Sequence, residues 1–399
     1  MDAAVHPLSE EARQPLWGPL WERYREDRPR KMLTLDGGGI RGMITLEILA
    51  KIESLLATRT GRGSEFRLCE YFDYFGGTST GAIIAAGLAR GMSARELLEF
   101  YKVSGAAMFE KAALLDRLSH LYKRDPLAAK LQEVFGEYST LEPQHLRSLL
   151  LIVTRNVTTD SPWPISSNPM AKYNAPTRKD CNLRIPLWKL VRASTAAPIF
   201  FPPEVVSWDE SDPKKTFVFI DGGMTPYNNP AFLLFRMATA EPYGLRWSTG
   251  ERKLLIVSLG TGSAANEAAD VLHPNKNLVS NLAGLPAALM DGAAADQDTN
   301  CRIVGRCVHG APLDREVGDL IPRDAQGVPI PLDQDLGRAF LYVRYDADLS
   351  RKGLDALGLS HVKPENVQRL DSVEYLNELS EVGHAVAKKV SLDHFGGFA

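Results

Sequence analysis

One serine stands in a setting that favours nucleophilic catalysis. Residues 77–81 have the sequence Gly-Thr-Ser-Thr-Gly, between an expected strand at residues 71–75 and an expected helix of small residues at 82–89. Glycine on both sides permits the sharp turn that lifts a serine hydroxyl away from the backbone. The following helix would direct its positive N-terminal end at the point where acyl transfer develops negative charge. We therefore expect Ser79 to be a nucleophile, with Gly77 and Gly81 forming its elbow.

The base for this serine is expected to be a carboxylate. In the common triad the base is a histidine, but no histidine of this chain stands in a glycine turn. The histidines are His6, His120, His145, His273, His309, His361, His384 and His394. Asp221 follows the apolar segment 217–220 and precedes two glycines, so a strand would carry its carboxylate to the sheet edge where Ser79 emerges. A partly buried carboxylate has a raised proton affinity and can accept a serine proton directly. A plain turn is the alternative interpretation of 221–223.

A third segment, Asp-Gly-Gly-Gly-Ile-Arg-Gly at 36–42, lies between an expected strand at 31–35 and an expected helix. Consecutive glycines leave backbone N–H groups unblocked around one concavity, which suits an acyl oxyanion. Arg41 would support this loop or bind a phosphate group. The segment also fits the dinucleotide-binding pattern Gly-x-Gly-x-x-Gly. That pattern needs an acidic residue closing a second strand about 20 residues later, where residues 58–63 form a polar turn, so we favour the oxyanion interpretation.

In this order along the chain, the segments 36–42, 77–81 and 221–223 resemble the three signature motifs of the patatin-like phospholipases. Two further stretches are similar to that family. They are Arg-Ala-Ser-Thr-Ala-Ala-Pro at 192–198, continued by Phe-Phe-Pro at 200–202, and Ser-Leu-Gly-Thr-Gly at 258–262. The resemblance covers residues 30 to 265.

The resemblance implies a dyad without histidine, in which Ser79 attacks a lipid ester carbonyl and Asp221 is the general base. A fatty acid would leave after hydrolysis of an acyl-enzyme, and neither a metal nor a cofactor is implied. The implied oxyanion hole consists of Gly37, Gly38, Gly39, Arg41 and Gly42. The substrate would be membrane phospholipid, reached by peripheral contact with the inner membrane surface.

Two alternatives stay open at this stage. One is an α/β-hydrolase that uses Ser79 with a late histidine, for which His309 or His361 has a suitable position in the chain order. The other is a ligand-gated effector, because some bacterial patatin-like proteins resembling this one are antiviral effectors activated by cyclic dinucleotides. A free phospholipase would threaten the membrane of its own cell, so such control is physically sensible.

Composition narrows the partners and the compartment. The 399 residues include 46 Lys and Arg against 49 Asp and Glu, a formal charge of -3, so no broad basic surface for nucleic acid is expected. Four cysteines are too sparse for a disulfide-stapled secreted domain. The N-terminal residues do not resemble a signal peptide, and no apolar run reaches the roughly 20 residues of a membrane span. We expect a cytoplasmic protein.

Alternating strands and helices predict a three-layer α/β/α patatin-like sandwich with a central, mostly parallel sheet and C-terminal helical additions. We expect an N-terminal arm at 1–30, a catalytic domain at 31–265 and a C-terminal extension at 266–399 packed on it. The arginines near residues 23–30 are expected to be solvated, and residues 158–182 to form a loop. Apolar residues at helical spacing from 367 to 390 predict one long helix, which either packs on the core or forms a homodimer.

Overall fold

A nine-stranded sheet forms the centre of the protein in a computed structural model. The structure describes residues 9–109, 126–198, 201–209, 211–263, 278–314, 316–327, 330 and 337–399. The strands are β1 (Arg30–Leu35), β2 (Tyr74–Thr78), β3 (Leu149–Asn156), β4 (Ser161–Ser166), β5 (Glu204–Ser207), β6 (Thr216–Asp221), β7 (Leu254–Leu259), β8 (Arg306–His309) and β9 (Leu341–Tyr345).

The order of the strands across the sheet is β5-β6-β3-β2-β1-β7-β9-β8, and β4 also pairs with β3. The five neighbours from β3 through β2, β1 and β7 to β9 run parallel, as does β8 beside β9. The strands β4, β5 and β6 form the antiparallel side. The expected mostly parallel sheet is confirmed, and the C-terminal segment supplies two of its strands. The domain division proposed from the sequence stays a prediction.

Helices cover both faces of this sheet. They are α1 (Glu10–Trp17), α2 (Trp21–Tyr24), α3 (Gly42–Thr60), α4 (Leu68–Tyr71), α5 (Thr80–Arg90), α6 (Ala94–Phe109), α7 (Pro126–Phe135), α8 (Leu187–Ser194), α9 (Ala231–Thr239), α10 (Leu278–Val304), α11 (Arg351–Ala356), α12 (Pro364–Val367) and α13 (Leu376–Ala387). Side chains alternate across a strand, so Leu33 joins a core with α3 and α5 while Met32 joins a second core with α9. The three-layer architecture is confirmed. Among the helices that the structure describes, none combines the length and apolar character needed to cross a membrane.

The arginine cluster near the N-terminus was expected to be solvated, but Arg30 is buried and Arg23 and Arg28 are partly buried, while Arg25 is exposed. Asp73, at the start of β2, has a fully buried side chain that pairs with Arg23, Arg28 and Arg30. Arg30 is only 3% exposed and lies over the rings of Tyr24 and Trp247. A buried carboxylate needs compensating positive charge. The spacing of the arginines does not reveal that they pair with an aspartate more than 40 residues away.

Two element predictions were also wrong. Residues 161–166, expected in a loop, form β4 and pair with β3. The expected helix from 367 to 390 is broken, because α12 ends at Val367 and α13 begins only at Leu376. Between them the chain turns toward the glycine segment, where the Leu370 carbonyl accepts the N–H of Ile40 at 3.0 Å. That long-range hydrogen bond is incompatible with one continuous helix. The helix α13 itself packs on α3 with Leu379, Val382 and Val386 buried.

Candidate active site

Ser79 occupies the tight turn between β2 and α5. Its backbone has φ 54° and ψ -123°, a region that costs a non-glycine residue about 1–3 kcal/mol. A Cβ atom at Gly77 would collide with the carbonyl of Gly81, and one at Gly81 would collide with the carbonyl of Leu35. Glycine is therefore required at both flanking positions in this geometry.

Asp221 ends β6 and meets this serine across the sheet. Its Oδ2 accepts a hydrogen bond from the Ser79 hydroxyl at 2.7 Å, and its Oδ1 accepts one from the Gly223 N–H at 2.7 Å. Burial raises the pKa of Asp221 to about 6, and the hydrogen bonds from Ser79 and Gly223 oppose this rise. The carboxylate is thus ionised at neutral pH but more basic than an exposed aspartate, which is the condition for a general base.

Ser194, at the end of α8, holds the elbow from behind. Its hydroxyl accepts the backbone N–H of Ser79 at 2.9 Å and donates to the carbonyl of Val153 on β3 at 2.6 Å. The nucleophile is therefore tied to the sheet through one buried hydroxyl. The sequence singled out the surrounding stretch 192–198 by resemblance but assigned no task to Ser194.

The glycine segment at 36–42 lies beside the serine, but its amides differ in availability. The N–H of Gly37 donates to the carbonyl of Asn228, that of Arg41 to Gly38, and that of Gly42 to Gly39 and Ile40. Within the described part of the chain, no acceptor takes the N–H of Gly38 or Gly39. The Arg41 guanidinium is buried and donates to the carbonyl of Gln368 at 3.3 Å. It therefore supports the loop rather than facing solvent.

The cavity at the dyad is small, with a volume of about 40 Å³. It is lined by Gly39, Ser79, Asp221, Phe201, Met290 and Leu370, among others. Such a volume holds a few water molecules, whereas pockets for ligands of lipid or drug size measure roughly 300–1,000 Å³. Met290 lies on α10 and Leu370 in the break before α13, so the C-terminal extension forms part of the cavity wall.

The histidines named in the α/β-hydrolase alternative do not lie beside Ser79. His309 stacks on His394 with ring centroids 4.2 Å apart, and His361 contacts Glu381 at 2.7 Å. Burial lowers the pKa of His309 to about 4, which keeps the ring neutral. The α/β-hydrolase alternative named His309 or His361, and neither contacts Ser79 or Asp221 in this geometry.

A family comparison identifies the group to which this arrangement belongs. The family model described as "Patatin-like phospholipase" matches residues 33–235, just over half of the chain. The chain belongs to the patatin-like phospholipase family. The resemblance noted from the three motifs is thereby confirmed.

Individual patatin-like relatives are similar over part of their length. A "cGAMP-activated phospholipase" of Vibrio cholerae is 34% identical over 228 residues, which are 53% of this chain and 60% of the relative. A protein with the same name from Escherichia coli is 32% identical over 213 residues, 52% of this chain and 55% of the relative. Among solved structures, VipD from Legionella pneumophila has a TM-score of 0.39 and 13% identity, covering 90% of this chain and 66% of VipD. The chain thus spans less than two thirds of the curated relatives it matches.

Proposed function

We propose that this patatin-like protein hydrolyses fatty-acyl esters of membrane glycerophospholipids. The main support is the 2.7 Å hydrogen bond from the Ser79 hydroxyl to Asp221 in a buried site. Beside it lie two backbone amides of the glycine loop, those of Gly38 and Gly39, for which the described residues provide no acceptor. Membership of the phospholipase family supports lipid esters as the substrate class.

In the proposed reaction Asp221 accepts the Ser79 proton while the serine oxygen attacks the ester carbonyl. The N–H groups of Gly38 and Gly39 stabilise the resulting oxyanion, helped by the N-terminal end of α5. Collapse of the tetrahedral intermediate transfers the Asp221 proton to the leaving lysophospholipid alcohol. Water, deprotonated by Asp221, then hydrolyses the acyl-enzyme to a fatty acid. Of the five residues implied for the oxyanion hole, we retain Gly38 and Gly39, and we assign Gly37, Arg41 and Gly42 to shaping the loop.

We also propose that a cyclic dinucleotide activates the protein at the inner membrane surface. Two observations support this. Two relatives are named as cGAMP-activated phospholipases, and the cavity of about 40 Å³ must widen before an acyl ester can enter. Peripheral contact with the membrane and assembly into homo-oligomers complete the proposal.

Fatty-acid release from mixed phospholipid vesicles tests both parts. We expect release by the wild type only after addition of a cyclic dinucleotide, because the cavity is too small for an acyl ester without one. Ser79→Ala should give background release under every condition. Fatty-acid release that needs Ser79 but no nucleotide would refute the proposed activation and would still support the proposed hydrolase activity. Equal release by Ser79→Ala would refute the proposed nucleophile.

The pKa of Asp221 predicts the acid side of the pH profile. The value of kcat/KM for a soluble ester should fall as pH drops through about 6, because a protonated Asp221 cannot accept the serine proton. The pKa of Asp221 is higher in the folded protein than in the unfolded chain. Its contribution to the free energy of unfolding is therefore favourable at low pH and is lost as pH rises through about 6. Protonation of Asp221 therefore lowers activity without weakening the fold. A profile that stays flat down to pH 4.5, with circular dichroism reporting an intact fold, would contradict Asp221 as the base.

A further inference from the structure

The turn after β7, Ser-Leu-Gly-Thr-Gly at 258–262, holds the glycine loop although it carries no assigned chemistry. The Thr261 hydroxyl donates to the carbonyl of Gly37 at 2.9 Å, and the N–H of Asp36 donates to the carbonyl of Leu259 at 3.1 Å. The two turns at the ends of the neighbouring parallel strands β1 and β7 are thereby tied together.

One buried arginine connects this pair of turns to the next strand. Arg344 of β9 is 6% exposed, and its guanidinium donates to both oxygens of Asp36, at 3.0 and 2.7 Å. It also donates to the Ser258 hydroxyl and to Asp346, each at 2.8 Å. The second oxygen of Asp346 accepts the N–H of Gly262 at 2.8 Å. Arg344 is therefore the centre of a network that holds the start of the 36–39 loop, at Asp36 directly and at Gly37 through the neighbouring turn.

We propose that Arg344 is a positioning residue for ester hydrolysis, holding Asp36 so that the Gly38 and Gly39 amides face the ester at Ser79. This inference rests on the proposed function. Oxyanion donors act only when their positions are held to within about 0.5 Å, and Asp36 is the residue from which this loop departs. Arg344 lies outside the matched family region of 33–235, so the C-terminal extension would complete the catalytic loop.

The chemistry of the pair explains why arginine suits this position. A guanidinium presents a planar fork that satisfies both carboxylate oxygens, whereas an ammonium acts as a single point charge. Burial raises the pKa of Asp36 to about 7 even though Arg344 opposes that rise. Without Arg344 the carboxyl group would be buried and uncompensated, and nothing in the network would hold its orientation.

The test measures kcat and KM separately for a soluble ester, p-nitrophenyl butyrate, with cGAMP added, in Arg344→Met and Arg344→Lys. We expect Arg344→Met to lower kcat about 100-fold, the usual effect of losing an oxyanion donor, with KM within about threefold. Arg344→Lys should recover part of this loss, because it keeps the charge but not the fork. The matched control is Arg302→Met, since Arg302 is also buried and pairs with two aspartates, Asp298 and Asp319, but does not contact the loop. Its kcat should equal that of the wild type.

Hydrogen exchange of the loop provides a readout that does not depend on activity. The amides of Gly37, Arg41 and Gly42 are hydrogen-bonded and should exchange at least about tenfold faster in Arg344→Lys, but not in Arg302→Met. Unchanged kcat and unchanged exchange in a folded Arg344→Lys would overturn the proposal, even if Arg344→Met fails to fold. A wild type that shows no Ser79-dependent hydrolysis even with the cyclic dinucleotide added would refute the proposed function instead, and exchange would still decide whether Arg344 holds the loop.

Discussion

Replacing Asp221 with asparagine should lower kcat for ester hydrolysis about 1,000-fold, within the range measured for loss of a general base. The amide keeps the shape of the side chain, and its oxygen can still accept the Gly223 N–H that now binds Oδ1. The other position becomes an NH₂ group, which cannot accept the Ser79 proton. The measurement is steady-state hydrolysis of p-nitrophenyl butyrate by purified wild type and variant, each with cGAMP added.

The thermal unfolding midpoint is the control for this substitution. Burial raises the pKa of Asp221, so ionisation at neutral pH costs folding free energy, and a neutral asparagine removes this cost. We expect the midpoint of Asp221→Asn to equal or exceed that of the wild type. Full activity in a folded Asp221→Asn would exclude the carboxylate as the base and would reopen the search for another proton acceptor.

Replacing Gly77 with alanine should abolish hydrolysis and lower the free energy of unfolding by about 3 kcal/mol, the upper part of the range for overpacking. The added Cβ would collide with the backbone carbonyl of Gly81 and with the amide nitrogen of Ala82. These are main-chain atoms in the first turn of α5, so they can yield only by moving the elbow that holds Ser79. Urea unfolding and ester hydrolysis measure the two effects.

The matched control is Gly292→Ala on α10, where an added Cβ meets no atom of the described residues within 4 Å. This substitution should leave hydrolysis unchanged and stabilise the helix by up to about 1 kcal/mol, because alanine has the higher helix propensity. A stable and active Gly77→Ala would show that the elbow tolerates a side chain, contrary to the strained geometry at Ser79.

The sequence by itself determined the family, the order of the motifs and most of the central strands. These features are local: a glycine turn shows through residues that are adjacent in the chain, and a buried parallel strand shows as an apolar run. The pairing of Ser79 with Asp221 was also predictable, because both follow apolar segments whose ends were expected at one sheet edge. The structure places these side chains within hydrogen-bond distance.

Only the tertiary structure decided how the loop and the cavity are completed. The Gly37 amide is not available to an oxyanion because it donates to the carbonyl of Asn228, far along the chain. Three contacts join residues separated by more than 100 positions: Ser194 with Ser79, Arg344 with Asp36, and Leu370, which lines the cavity, with Ile40. Such contacts leave no local periodicity, because the sheet order that brings β1, β7 and β9 together is set by packing of the whole chain. The same physics buried Arg30 and partly buried Arg23 and Arg28 around Asp73, where local charge alternation had indicated a solvated surface.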